Sequence, residues 1–305
     1  MERITYKEAL CRGEARLAEA GVEEAALDAW LLFSWVTGIS RAAYFMDRDC
    51  VWADREKQKQ YEALIEKRAR RIPLQYLTGV QQFMGLDFLV TPAVLIPRQD
   101  TETLVEYALQ RLCPGDRVLD LCTGSGCIGI SLAKLGGARV WCADISEEAL
   151  WVAQNNGKRL GLNEITWIRS DLLENINERA FDMIVSNPPY IPSGVIDGLM
   201  PEVRDHEPRL ALDGEADGLY FYRRLAKECK DFLKPNGQLC LEIGYNQGEA
   251  VSGLLNAAGW DRILVHRDVA GQNRVVSAIW RGTERDGKRP ADHADGRTRT
   301  GGRHV

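Results

Sequence analysis

The spacing of apolar residues divides the chain into a helical first part and an alternating second part. In residues 1–80, apolar side chains recur at intervals of three and four, which is the helical repeat. Gly21 and Gly38 end two of the predicted helices, and a third runs from about residue 53 to 71. The basic residues 67–71 at its end indicate either a solvated helix end or a contact with an acidic partner. The pattern predicts a small helical bundle.

A short change of pattern follows the predicted bundle. In residues 80–97, a few apolar residues stand among turn-forming ones, which predicts a short hairpin that links two domains. The apolar residues are Phe83, Leu86, Phe88 and Val90, and the turn-forming ones are Gly79, Gly85 and Pro92. A further helix is predicted from Thr101, with Asp100 as its N-cap.

From about residue 117, short apolar runs alternate with helical segments. Alternating strands and helices predict an α/β fold with a parallel sheet and right-handed crossovers. The last two predicted strands lie too close together for a helix between them, so we expect an antiparallel hairpin at the sheet edge. The predicted strands span residues 118–122, 139–143, 165–169, 183–186, 238–243, 263–266 and 274–280.

Composition limits the location and the partners. Lysine and arginine total 39 and acidic residues 44, a net charge of −5, whereas a large nucleic-acid footprint usually brings a basic domain. The eight cysteines form no C-x-x-C pair and no zinc-like spacing, so we expect reduced thiols and no metal site. The chain start lacks a signal-peptide core, and no apolar run reaches the roughly 20 residues that span a bilayer. We therefore expect a cytoplasmic protein without membrane contact.

A glycine turn follows the first strand of the predicted sheet. Its glycines permit a sharp bend and close approach of a ligand, and the next helix points free N–H groups at that ligand. Three interpretations stay open: an S-adenosylmethionine site, a dinucleotide site because residues 124–129 fit G-x-G-x-x-G, and a structural turn. Asp120 before the turn favours the methyl donor. The turn consists of Cys122, Thr123, Gly124, Ser125 and Gly126.

Two acidic residues follow the next two strands. Asp144 can accept hydrogen bonds from the ribose hydroxyls of either cofactor. Asp171 can accept from the exocyclic amino group of adenine, and Leu172 can cover the ring. The alternative for Asp171 is a helix N-cap. Because the carboxyl ends of parallel strands share one edge, we expect these residues beside the glycine turn.

The tetrapeptide Asn187-Pro188-Pro189-Tyr190 follows the fourth strand at the same edge. The two prolines fix the backbone and donate no N–H, which leaves backbone carbonyls free, and Asn187 adds a side-chain carbonyl. Two such acceptors can hold both hydrogens of an NH₂ group whose lone pair is delocalised, and Tyr190 can cover its flat face. Such positioning turns the lone pair toward a methyl donor. The alternative is a proline-rich structural turn.

Asn-Pro-Pro-Tyr is shared by two groups of methyltransferases. One methylates adenine N6 in DNA, and the other methylates glutamine N5 in peptide-chain release factors. The tetrapeptide and the motif order do not separate them, but the flanking segments resemble the release-factor group, from about residue 5 to 280. Those segments are residues 71–79, 83–88, 94–102, 201–219 and 241–244.

The resemblance implies a class I methyltransferase fold that is Rossmann-like, with a mostly parallel seven-stranded sheet behind a helical bundle. It implies S-adenosyl-L-methionine as cofactor and methylation of the Gly-Gly-Gln glutamine of class-1 release factors, which the N-terminal helices would also grip. A DNA adenine methyltransferase is the alternative, although it needs a basic target-recognition region. A binding protein that has lost catalysis is the second rival. The implied domains are 1–79 (helical docking), 80–100 (hairpin linker), 101–281 (methyltransferase) and 282–305 (disordered tail).

The resemblance also assigns the site residue by residue. The glutamine amide would be held by Asn187, Pro188, Pro189 and Tyr190. The cofactor would be held by Cys122, Thr123, Gly124, Ser125, Gly126, Asp144, Asp171, Leu172 and Asn187. Two positions depart from the family pattern, because Cys122 stands where glycine is usual and Gln99 where proline is usual.

Overall fold

A computed structural model describes residues 4–282, and its first part is helical. Gly21 and Gly38 have positive φ values of 72° and 76° at the ends of helices, as predicted. Two of the helices have only seven and five residues, so they show too little of the helical repeat to be predicted. The helices are α1 Tyr6–Glu19, α2 Ala25–Thr37, α3 Arg41–Asp47, α4 Arg55–Ala69 and α5 Leu74–Thr78.

The core of this helical region is aromatic. Phe33 is fully buried, and the rings of its neighbours lie around it with centroids 5.3 to 5.9 Å away. Most of these contacts are edge-to-face, the geometry that the ring quadrupole favours. The neighbouring rings are those of Tyr6, Trp30, Tyr44, Trp52 and Tyr61.

The basic end of α4 binds an acidic residue of the same chain. Arg68 donates to Asp28 at 2.7 Å and to Glu202 at 2.8 Å. Arg71 donates to both oxygens of Glu202 at 2.7 and 2.6 Å. We call this set the ion-pair junction, and it joins the helical region to the segment that follows the tetrapeptide. Arg70 at the same end remains exposed, as expected of a solvated helix end, and a contact with an acidic partner stays a prediction.

The predicted hairpin forms, but the predicted N-cap is wrong. Strands β1 (Val80–Phe83) and β2 (Leu86–Leu89) pair antiparallel. Helix α6 (Gln99–Leu109) begins one residue before Asp100, so that side chain lies inside the first turn and pairs with Arg274 at 2.9 Å. Gln99 is the first residue of this helix. Proline is common at a first helical position, because the N–H that proline lacks would have no partner in the helix.

A seven-stranded sheet carries the rest of the chain, and the predicted fold class is confirmed. The strand order is β5-β4-β3-β6-β7-β9-β8, in which β9 runs antiparallel to both neighbours and the other pairs are parallel. The strands are β3 Arg117–Leu121, β4 Arg139–Asp144, β5 Thr166–Arg169, β6 Phe181–Ser186, β7 Leu233–Glu242, β8 Asp261–Arg267 and β9 Asn273–Trp280. The accompanying helices are α7 Cys127–Gly136, α8 Glu147–Arg159, α9 Ser193–Ile196, α10 Pro201–His206, α11 Tyr220–Glu228 and α12 Gly248–Ala257, with 3-10 turns at Arg209–Ala211 and Cys229–Phe232.

Both faces of the central strands are buried. On β3, Leu119 belongs to one apolar cluster with Leu225 of α11, whereas Val118 belongs to another with Leu104 of α6. Successive side chains of a strand point to opposite faces, so the two clusters cover the two sides of the sheet.

Two predictions cannot be judged from the described residues. The proposed domain bounds remain predictions, and the predicted tail lies outside residues 4–282 apart from Gly282.

Within that described range, no helix has both the length and the apolar content needed to cross a bilayer.

Candidate active site

The parallel strands end at one edge, where the chain forms a cleft. The cleft lies at β3, which pairs with β4 on one side and β6 on the other, the switch point where α/β sheets bind ligands. Gly126, Pro188 and Tyr190 are not among the residues that line it. The predicted site residues that do line it are Cys122, Thr123, Gly124, Ser125, Asp144, Asp171, Leu172, Asn187 and Pro189.

The glycine turn has a left-handed backbone at both ends. Gly126 has φ 82°, and a Cβ there would lie 2.8 Å from Ile130 Cδ1, so the position requires glycine. Cys122 has φ 58°, a conformation that is uncommon outside glycine. The backbone therefore explains why glycine is usual at 122 in the family. Burial raises the pKa of the Cys122 thiol, which keeps it neutral.

A buried acid braces the turn from below. Asp120 is fully buried, and its Oδ2 accepts from Thr123 Oγ1 at 2.5 Å and from the Gly129 N–H at 2.9 Å. Burial raises the pKa of Asp120 to about 7. Asp120 does not line the cleft, so it supports the turn from the side that faces away from the cleft.

A second brace, Asn156, was missed by sequence reasoning. This fully buried residue of α8 donates from Nδ2 to the Ser125 carbonyl at 2.9 Å. It also exchanges two hydrogen bonds with the backbone of Leu89, at 2.6 and 3.0 Å. Asn156 thus ties the glycine turn to the hairpin, a long-range contact that local patterns do not reveal.

Asp144 holds the turn and still faces the cleft. Its Oδ2 accepts from the Gly124 N–H at 2.8 Å and its Oδ1 from the Ser146 N–H at 2.9 Å. Burial raises the pKa of Asp144, and these backbone donors oppose the rise. Each carboxylate oxygen has a further lone pair, so both can accept from a hydroxyl of a ligand.

Asp171 is not a helix N-cap, because the residues that follow it form turns. Its Oδ1 accepts from Arg224 Nη1 at 2.6 Å, and this arginine of α11 also lines the cleft. Leu172 next to it is buried with φ 48°. Sequence reasoning missed Arg224, since it lies 53 positions from its partner.

The cofactor half of the cleft fits S-adenosylmethionine by its chemistry. Asp144 and Asp171 offer carboxylate acceptors for hydroxyl and amino groups, while Ile145 and Leu172 supply apolar wall. Ser125 also lines the cleft, and its hydroxyl is buried beside the Cys127 thiol. Within residues 4–282, no cluster of acidic, cysteine or histidine side chains is arranged to hold a metal ion.

The tetrapeptide forms the opposite side of the cleft. Asn187 donates from Nδ2 to Thr101 Oγ1 at 3.4 Å, which leaves its side-chain oxygen as an acceptor. Pro189 lines the cleft and Pro188 is buried. Tyr190 packs against the apolar core, where burial raises its pKa to about 12. The proposed role of Tyr190 against the substrate therefore stays a prediction.

A segment after the tetrapeptide forms one wall of the cleft. Glu207 is buried, accepts from the Ile96 N–H at 3.2 Å and pairs with Arg98. Directly after it, Pro208 and Leu210 join Arg98 in the cleft lining. Sequence reasoning assigned no role to this wall, although its residues lie within segments 94–102 and 201–219, which carried the family resemblance.

Comparisons with known proteins agree with this geometry. Residues 8–79 match a family model described as "PrmC N-terminal domain", and residues 99–198 match "Methyltransferase small domain". A solved methyltransferase from Pyrococcus furiosus shares the fold, with TM-score 0.51 and 20% identity over 71% of this chain and 98% of that chain.

Curated relatives cover almost the whole length. The chain is 44% identical to the release factor glutamine methyltransferase of Geobacter sulfurreducens, over 85% of this chain and 91% of that protein. It is 45% identical to the protein of the same name from Moorella thermoacetica, over 91% of this chain and 99% of that protein. The predicted family is therefore confirmed: the chain belongs to the release factor glutamine methyltransferases.

Proposed function

We propose that the chain transfers a methyl group from S-adenosyl-L-methionine to the side-chain amide nitrogen (N5) of the Gly-Gly-Gln glutamine in class-1 peptide-chain release factors. The observation that carries the proposal is the position of Asn187. The side chain of Asn187 offers a hydrogen-bond acceptor, and Asn187 lines the same cleft as the glycine turn and Asp144. The relatives of the same family carry this activity in their names.

The cofactor half would bind the methyl donor through the predicted residues. Asp144 would accept from the ribose hydroxyls, and the free oxygen of Asp171 from the adenine amino group. Leu172 and Ile145 would cover the ring, and Cys122 to Gly126 would follow the remainder of the molecule closely. When bound, the cofactor supplies an electrophilic methyl group on a sulfonium.

The acceptor half would prepare the nitrogen. An amide nitrogen is a weak nucleophile because its lone pair is delocalised. The side-chain carbonyl of Asn187 and a backbone carbonyl of the tetrapeptide would hold its two hydrogens, which turns the lone pair toward the methyl group and stabilises the positive charge that develops. The N–C bond forms as the S–C bond breaks. One proton then leaves the nitrogen, which methylation has made acidic, so no strong base is required.

The DNA adenine alternative is not favoured. The close relatives are named for release factor glutamine methylation, and the chain carries a net charge of −5. The absence of nucleic-acid and membrane partners and the cytoplasmic location stay predictions.

A transfer assay with two acceptors tests the proposed function. The full chain is incubated with methyl-labelled S-adenosylmethionine and, separately, a class-1 release factor or duplex DNA with adenines. We expect label in the release factor and none in the DNA. Label in the DNA alone would reject the proposal.

We also propose that the helical region docks the release factor. Helix α2 exposes Leu27, Leu31 and Trp35, spaced four residues apart on one side, at 39, 39 and 52% of their surface. Exposed apolar stripes of this kind mark interaction sites. The ion-pair junction holds the helices against the segment after the tetrapeptide, so a factor bound to α2 would meet the cleft at a fixed distance.

Trp35→Ala tests the docking role. We expect a higher KM for the release factor, by about tenfold for loss of a large aromatic contact, with an unchanged cofactor Kd. Trp151→Ala is the matched control, because Trp151 is 60% exposed on the methyltransferase side. Equal KM values for both variants would contradict docking through α2.

A further inference from the structure

A buried carboxylate lies behind the tetrapeptide on the neighbouring strand. Glu242 ends β7 and is only 1% exposed. Strand β7 pairs in parallel with β6, with Leu241 opposite Ser186. One residue further along this register, Glu242 comes level with Asn187. The sheet therefore places an acidic side chain beside the residue that would hold the methyl acceptor.

The surroundings of Glu242 link it to Asn187. Burial raises the pKa of the Glu242 carboxyl group, and the nearby side chains of Thr101 and Asn187 lower it. Asn187 Nδ2 in turn donates to Thr101 Oγ1 at 3.4 Å. Arg274 of β9 adds a positive charge nearby. The second oxygen, Oε2, has no hydrogen-bond partner within residues 4–282. A buried acid with one unpartnered oxygen costs stability, so its presence calls for a role other than packing.

The chemistry of the carboxylate decides how the Asn187 amide faces. An ionised carboxylate only accepts hydrogen bonds, so it draws the Thr101 hydroxyl proton and the Asn187 NH₂ group toward itself. Thr101 Oγ1 then accepts from Nδ2. With the NH₂ group held on this side, the amide oxygen of Asn187 faces the cleft. A neutral residue at 242 that can both donate and accept removes this preference.

We propose that Glu242 is a positioning residue whose buried carboxylate, acting with Thr101, fixes the side-chain amide of Asn187 with Oδ1 toward the methyl acceptor. The inference rests on the proposed function and assigns Glu242 no contact with either substrate. Because correct orientation of an acceptor matters most where charge develops, its loss lowers kcat more than it changes KM.

The ionisation of Glu242 gives the positioning role a pH signature. Burial raises the pKa of Glu242 to about 7, with Thr101 and Arg274 opposing the rise. As pH falls through this value the carboxyl becomes protonated and can donate, so the Asn187 orientation is lost and kcat falls. The titratable and charged groups that face Glu242 from the surrounding elements are Asp100 of α6, Cys127 of α7, Tyr190, Tyr222 of α11 and Arg274 of β9. The pKa values of the cysteine and the two tyrosines are raised, so they stay neutral near pH 7.

Glu242→Gln tests the proposal in the full chain, with S-adenosylmethionine and a class-1 release factor, between about pH 6 and pH 9. We expect kcat at the alkaline end to fall about tenfold, less than for loss of the acceptor itself, with both KM values unchanged. We also expect the decline of kcat below about pH 7 to disappear. The matched control is Glu102→Gln on α6, where the carboxylate accepts from the Met84 N–H at 2.6 Å, on a different side of the helix end. It should keep the wild-type kcat and pH profile.

A pair of variants at Thr101 covers the case in which Glu242→Gln does not fold. Thr101→Val removes the hydroxyl and should lower kcat severalfold, while Thr101→Ser should restore it. The inference would be overturned, and the proposed function left standing, if Glu242→Gln kept the wild-type kcat and the same decline of kcat below about pH 7. Equal kcat values for the two Thr101 variants would have the same consequence. A wild-type chain that does not methylate the release factor would reject the proposed function, and the inference with it.

Discussion

On the cofactor half of the cleft, which follows β3, β4 and β5, buried side chains hold a backbone turn, whereas on the acceptor half, which follows β6 and β7, they lie beside a side chain that itself lines the cleft, Asn187. In the first half, Cys122 and Leu172 adopt positive φ values, and the Gly124 N–H donates to Asp144 at 2.8 Å. In the second half, Asn187 donates to Thr101 at 3.4 Å, and Glu242 is buried on the neighbouring strand.

The difference suggests a division of labour between binding and chemistry. A surface built from backbone can approach a ligand closely. A network of buried polar side chains is strong only when every member is correctly placed, because a low dielectric strengthens good contacts and penalises bad ones. We therefore expect changes in the first half to affect cofactor affinity, and changes in the second half to affect the rate of methyl transfer.

Asn187→Ala gives the largest expected effect. Removal of one hydrogen-bond partner of the transition state lowers kcat by about 10²–10³, while the cofactor Kd should stay within about tenfold, since most cofactor contacts remain. Single-turnover transfer and calorimetric cofactor titration measure the two quantities. Near-normal turnover would remove Asn187 from the chemistry.

Glu242→Gln should change the pH dependence of stability. Because its pKa is raised to about 7 by burial, the native state binds more protons than the unfolded state between the ordinary pKa and 7. The free energy of unfolding of the wild type therefore falls as pH rises through this window. The free energy of unfolding of the variant minus that of the wild type should therefore rise by roughly 2–3 kcal/mol between about pH 5 and pH 8.

Urea unfolding of both proteins at the two pH values measures this gain. The raised pKa of Asp120 contributes equally to both proteins and cancels. A constant difference between variant and wild type across the pH range would contradict a protonated Glu242 in the folded state.

Asp144→Ala should weaken the cofactor half. It removes acceptors for the ribose and the partner of the Gly124 N–H, so we expect the cofactor Kd to rise about 10- to 100-fold, as for loss of charged hydrogen bonds. At saturating cofactor, kcat should stay within about tenfold. Glu147→Ala is the control, because this nearby acidic side chain is exposed. A main effect on kcat would contradict the assignment of Asp144 to binding.

Cys122 gives the smallest expected effect. Glycine relieves the left-handed strain, while valine increases it, so the free energies of unfolding of Cys122→Gly and Cys122→Val should differ by about 1–2 kcal/mol in favour of glycine. The cofactor Kd should follow the same order. The same pair at Cys113, which is exposed and has no positive φ, should not show this preference.

The sequence predicted the sheet and the position of the cleft well, because both depend on local signals. The alternation of strands and helices indicates that neighbouring strands run parallel. The short link between the last two strands requires that they pair antiparallel. The glycine turn and the tetrapeptide follow strands directly, so their common edge was predictable. Their individual roles toward ligands remain proposals.

The residues that sequence reasoning missed all act over long separations. Asn156 reaches Ser125 across 31 positions, and Arg224 reaches Asp171 across 53. Glu242 was noticed only as part of a family segment, because its position beside Asn187 follows from strand order and not from spacing. The N-cap prediction for Asp100 was wrong because the helix begins two residues earlier than predicted, which makes Arg98 the N-cap.

Mapping the methylated atom tests the central claim most directly. The chain is incubated with S-adenosylmethionine and a class-1 release factor, and the peptide with Gly-Gly-Gln is fragmented in a mass spectrometer. We predict one added methyl group on the glutamine side-chain amide, and a yield about 10²–10³ lower in the same time when Asn187→Ala replaces the wild type. A methyl group on another residue of the factor, or an equal yield from the variant, would contradict the role given to the tetrapeptide.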